Sequence, residues 1–130
     1  MRWKQQLLSL FVVCLILSGT RSVVAQSAEN AIIAQVNQFR ASLGLPAFTY
    51  NPKLAVAAAQ QAQFIADNNT YTHTGTGGST PQTRANAAGY NGRASENIVG
   101  GSNMTPAQAL AWWKNSPPHY NTITSDYYTE

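Results

Sequence analysis

ASENIVGG, Ala94 to Gly101, is the stretch on which the fold class turns. Its Ile-Val pair between small and polar residues suits either a short strand or an ordered turn. The segments on both sides read more plainly. Upstream, STPQTRANAAGY (79–90) is a short helix with Thr80 as cap, Pro81 in the first turn and Gly89 at its end. Downstream, MTPAQALAWWKNSPP (104–118) repeats the device with Thr105 and Pro106, and Pro117 with Pro118 ends it. The final HYNTITSDYYTE begins with one helical turn and then enters a strand.

Further upstream the pattern stays helical. SAENAIIAQVNQFRASLGLP (27–46) is a helix capped by Ser27, with Ile32, Val36, Phe39 and Leu43 on one buried face, Gly44 in a left-handed stop and Pro46 preventing continuation. PAFTYN then alternates as a short strand or extended linker. NPKLAVAAAQQAQFIADNNT (51–70) is a second helix, with Asn51 as cap, Pro52 in the first turn and an apolar stripe of Leu54, Ala58, Ala62 and Ile65. Small alanines on that stripe predict close approach of a neighbour.

The N-terminus has a different purpose. Arg2 and Lys4 precede the apolar run LLSLFVVCLILSG, and small residues gather near Ala25, which is the layout of a secretory signal peptide over residues 1–25. The run falls short of the roughly 20 residues a membrane span needs. The mature chain, residues 26–130, is therefore expected to be secreted, a single domain with no stable membrane insertion after cleavage. Removing Arg2, Lys4 and Arg21 from the eight basic residues leaves five, which equals the five acidic ones. The basic balance belongs to the signal, so composition points to no nucleic acid partner. The only cysteine, Cys14, leaves with it, so no disulfide supports the domain.

The order HTGTGGSTPQTRANAAGY, SENIVGG, TPAQALAWWKNSPPHYNTIT resembles the bacterial branch of the CAP superfamily, named for cysteine-rich secretory proteins, antigen 5 and plant pathogenesis-related class 1 proteins. The resemblance covers about Asn30 to Glu130. It implies an α+β fold, a three-layer α-β-α sandwich with a central antiparallel sheet. Relatives continue past the position of Glu130 with two further strands, so the resemblance also implies a chain that is C-terminally incomplete. A cleft with two histidines and two acids is implied as well. His73, Glu96 and His119 match three of the four; at the second acid this chain has Ser116, with Asn115 beside it.

Spacing alone says less. His73, Glu96 and His119 lie 23 residues apart at each step, which is no local metal signature. Brought together, two imidazoles and a carboxylate could hold zinc as His73, His119 and Glu96 ligands with a position open to water, or raise a histidine pKa for acid/base work. On the residues alone, Glu96 equally suits backbone N–H acceptance in a turn, and His119 suits a helix cap. No nucleophile stands out, and Gly75, Gly77 and Gly78 are turn formers with no Walker lysine after them. Trp112 and Trp113, about 100° apart on a helix, divide into one core residue and one on the cleft. The leading expectation is a secreted binding module whose His/Glu cleft takes an extracellular ligand, a lipid, sterol, peptide or glycan. Two alternatives stand beside it: a zinc-dependent hydrolase acting on peptides, and an envelope-glycan or lipid binder using the aromatic surface of Trp112, Trp113 and Tyr120.

Overall fold

The computed structural model describes residues 17–101 and 103–130, with side chains from residue 28 onward. The first sixteen residues, which hold Cys14 and most of the expected signal peptide, lie outside the described residues. Five α-helices follow in order: α1 Leu17–Ser42, α2 Pro52–Asn68, α3 Pro81–Ala87, α4 Pro106–Lys114 and α5 Pro117–Ile123, with a 3-10 turn at Thr76–Gly78. Helix α1 begins ten residues before the expected Ser27 cap. Neither proline nor glycine occurs between Thr20 and Leu43, so nothing in that stretch breaks it.

Helix ends follow the expected local chemistry closely. Asn51, Thr80 and Thr105 each accept a backbone N–H with the side chain, and a proline sits in the first turn of all three helices. Thr80 and Thr105 are reciprocated by Thr83 and Gln108, forming capping boxes. Such caps are worth about 1 kcal/mol each. At the end of α1, the N–H of Gly44 bonds to the Ala41 carbonyl and that of Leu45 to Arg40; at the end of α3, Gly89 and Tyr90 bond to Asn86 and Ala85 in the same way. Both are Schellman closures, and both glycines have the positive φ the motif requires (73° and 85°).

Helices α1, α4 and α5 pack in sequence, and α2 packs on α3. The core is small: Val36, Leu110 and Ile123, with Phe39, Phe48 and Trp113 against them. Two expected faces are corrected here. Leu43 is 45% exposed, whereas Arg40, one turn after Val36, is 1% exposed. Leu43 stands one residue past the end of α1, where the chain already turns away. On α2 the buried residues are Ala57 and Gln61, one position before Ala58 and Ala62, which are exposed. The α3 contact has rotated the helix by about 100° from the expected stripe.

The expected central antiparallel sheet is overturned: among the described residues there is no strand, and the architecture is all-helical. The stretch Ala94–Gly101 shows why. It is tied to its surroundings through side chains instead of a backbone ladder. The Ala94 N–H donates to Gln82 Oε1 at 2.9 Å, Asn97 Nδ2 donates to the His119 carbonyl at 3.0 Å, and Trp113 Nε1 donates to the Ile98 carbonyl at 3.3 Å. A strand is defined by repeated main-chain pairing with a neighbour, and these bonds go to three different helices. The other two candidate strands meet once, where the Thr49 N–H donates to the Thr129 carbonyl at 2.9 Å. A single bond makes no ladder.

That C-terminal segment is also held by side chains. Asn51 Nδ2 donates to Glu130 at 3.0 Å, and the Tyr90 hydroxyl bonds to Glu130. Burial first, then the bond to Glu130 and its charge, push the Tyr90 phenol above its ordinary value of 10.0. A phenol raised on folding contributes stability that is complete below pH 10.0 and is lost as pH rises through the folded value. Tyr90→Phe is therefore expected to flatten the alkaline limb of the stability profile above that pH. Urea midpoints measured from pH 8 to about 11 check this, since the wild type must fall more steeply than the variant if the phenol carries the effect.

Candidate functional site

Glu96 is the centre of the site, and the loop after α2 and helix α3 supply its partners. Its Oε1 lies 2.9 Å from His73 Nδ1, and its Oε2 accepts from Arg84 Nη2 at 2.7 Å. Because a carboxylate only accepts, Nδ1 carries the proton in this pair. Nε2 of the neutral ring is then the acceptor that faces outward from a side chain 54% exposed. Glu96 itself is 14% exposed and Arg84 5%. The pair is thus a buried clamp with an imidazole at its surface end.

Arg84 does more than neutralise Glu96. Its Nη1 donates to the His73 carbonyl at 3.2 Å and to the Ser79 carbonyl at 2.9 Å. One guanidinium, fixed in the middle of α3, therefore holds both the carboxylate and the backbone of the histidine that bonds to it. This is the fork geometry that arginine provides and lysine lacks. Gln61 of α2 closes the back of the loop by donating Nε2 to the Thr72 carbonyl at 2.6 Å.

Gly75 explains part of the glycine-rich run in which His73 sits. Its φ is −106°, which any residue adopts, so conformational freedom is not the requirement. The requirement is space. A Cβ there would stand inside contact distance of Gln61 Oε1, 2.9 Å from Ser79 Oγ and 3.1 Å from Arg84 Nη1. Gly77 and Gly78 instead have positive φ, 63° and 79°, and build the turn itself. Gly75→Ala is expected to cost about 2 kcal/mol by overpacking, whereas Thr76→Ala, exposed beside it, costs less than about 0.5 kcal/mol. Paired urea titrations decide it; equal midpoints for the two variants would exclude the close-packing explanation.

His119 stands on the other flank of the Ala94–Gly101 stretch. Its Nδ1 lies 2.6 Å from Ser116 Oγ, and its ring meets Trp112 edge-on with centroids 4.8 Å apart. Trp112 is 49% exposed, whereas Trp113 is half-buried against the core. The expected division of the two tryptophans is the observed one. Asn115 donates Nδ2 to the Ala111 carbonyl at 2.9 Å and closes the end of α4. Hydrogen bonds thus join His73 to Glu96 and His119 to Ser116. The two pairs are connected through the main chain, since Glu96 and Asn97 are consecutive and Asn97 donates to the His119 carbonyl. Among the described residues, no three His, Cys, Asp or Glu side chains stand close enough to hold a metal ion. The expected zinc ligand set His73, His119 and Glu96 is not gathered.

Sequence reasoning missed Arg84 and Gln61. A signal existed for the first: Arg84 is the only charged residue between Asp67 and Arg93, and a lone charge in a short helix calls for a partner. For Gln61, one of two adjacent glutamines on an alanine-rich helix, no sequence signal distinguished the buried residue from Gln60.

No helix among the described residues is long and apolar enough to cross a membrane. A family model described as the cysteine-rich secretory protein family, CAP, matches residues 33–130. No curated protein matches the chain, and no solved structure does.

Proposed function

The chain belongs to the cysteine-rich secretory protein family, and from that premise we propose that it is an exported binding module, released by cleavage of a signal peptide at residues 1–25. Its ligand site is the surface carried by His73 and Glu96 on one flank and by His119, Ser116, Asn115 and Trp112 on the other, with an extracellular lipid, sterol, peptide or glycan as ligand. The observation that carries binding over hydrolysis is the saturation of Glu96. Both of its oxygens are engaged, by His73 Nδ1 and by Arg84. A carboxylate committed to a guanidinium is a poor general base and a poor metal ligand. What it leaves available is an oriented imidazole and, across the stretch, a half-exposed indole, groups that recognise ligands without activating water.

Calorimetric titration with zinc tests this against the hydrolase reading. The expected result is no binding tighter than about 100 μM, well weaker than a resident catalytic zinc, with His73→Ala and His119→Ala indistinguishable from wild type. Micromolar binding lost in both variants would show that the two histidines share a metal site and would overturn the proposal.

A further inference from the structure

The two helical groups leave a space between them. A cavity of about 310 Å³ lies between α1 and α2. Its deep end is Val36 and Ile123, 7% and 4% exposed, and Ile33, Leu54 and Trp113 form its sides. At about 30 Å³ per water-sized group, it holds about ten, which is the scale of a ten-carbon chain and the lower bound of ordinary small-molecule pockets. An apolar void of this size gains nothing from water, which needs polar partners to be held.

Its exposed end has the opposite character. Glu29 and Glu130 line it, and no Lys, Arg or His is among the lining residues described. Both carboxylates are positioned by neutral donors: Tyr50 Oη to Glu29 Oε2 at 3.3 Å, and Asn51 Nδ2 to Glu130 Oε2 at 3.0 Å. Neither bond supplies a countercharge. An apolar interior beneath two carboxylates without a basic partner disfavours an anionic head group and favours a cationic one.

We propose that this cavity is a binding site for a single-chain amphiphile with a protonated amine head group. The alkyl chain lies against Val36, Ile123 and Trp113, and the ammonium meets Glu29 and Glu130. The site is separate from the His73–Glu96 surface, and either one can fail without the other.

The test titrates the full chain by calorimetry with decylamine, decanol and decanoate, each below its micelle-forming concentration. Decylamine is expected to bind at least tenfold more tightly than decanol, with decanoate weakest. Glu29→Gln/Glu130→Gln, which keeps an acceptor oxygen at both positions, is expected to abolish the preference for the amine and leave decanol binding unchanged. Ile33→Trp, which fills the cavity, is expected to remove binding of all three; the double Gln variant keeps the proposal testable if Ile33→Trp does not fold. Equal affinity for decylamine and decanoate, an amine preference that survives the double variant, or no binding by any probe would each overturn it.

Discussion

Arg84→Met is expected to lower the unfolding free energy by about 3 kcal/mol, because it removes one partner of a buried pair and leaves the other charged. Glu96 is 14% exposed, so some solvation remains, and the effect falls at the low end of the range for breaking a buried ion pair. The methionine retains most of the stem volume, so the loss is electrostatic and hydrogen-bonding instead of a cavity. Three acceptors lose their donor together: Glu96 Oε2 and the His73 and Ser79 carbonyls. The second half of the prediction separates charge from packing. Adding Glu96→Gln to Arg84→Met is expected to recover at least about 1 kcal/mol, since the orphaned charge is then gone. Urea denaturation of the four species of the cycle measures this. A double variant as unstable as the two single losses added would mean that the residues do not interact, and the clamp description of the site would be wrong.

The clamp also marks where the sequence was legible and where it was not. Helix caps were legible because capping is local: Asn51, Thr80 and Thr105 need only the two or three residues after them. Gly44 and Gly89 were legible for the same reason. The His73–Glu96 contact was reachable through the family resemblance, yet the arginine that organises it was not, because Arg84 and Glu96 pair across a loop with no periodic relation. The faces of α1 and α2 were each misjudged in part. Periodicity fixes which residues share a side but not which side the neighbour takes, and a shift of one residue exchanged Ala58 for Ala57 and Ala62 for Gln61. The sheet was overturned by tertiary context. Ala94–Gly101 has strand-like residues, but a strand exists only with a partner, and among the described residues its bonds are drawn away by Gln82, His119 and Trp113.

Arg40→Met is expected to have the largest effect of all, about 4 kcal/mol. Arg40 is 1% exposed and joins parts of the chain that lie far apart in sequence. Nε donates to the Pro46 carbonyl at 2.7 Å; Nη1 donates to the carbonyls of Ile123 at 2.9 Å and Ser125 at 2.8 Å; the guanidinium lies 3.7 Å from the centre of the Phe48 ring. Burial pulls its pKa below the ordinary value, with Asp126 acting in the other direction, yet arginine stays protonated. Three hydrogen bonds from a charged donor, each worth about 1.5–3 kcal/mol, are offset by the energy already spent in burying the cation, and about 4 kcal/mol is what remains to lose. Since small domains have only about 5–15 kcal/mol in total, the variant sits near its unfolding threshold. The loss should also be local first. Hydrogen exchange at the Thr124 amide, which bonds to the Tyr120 carbonyl at the end of α5, is expected to accelerate more than exchange in α2, because the carbonyls of Ile123 and Ser125 are the ones released. Arg40→Lys should recover less than half of the stability, since one ammonium cannot span three carbonyls and cover a ring. Full recovery by lysine would mean that charge alone, and not the fork, anchors the C-terminal segment to α1.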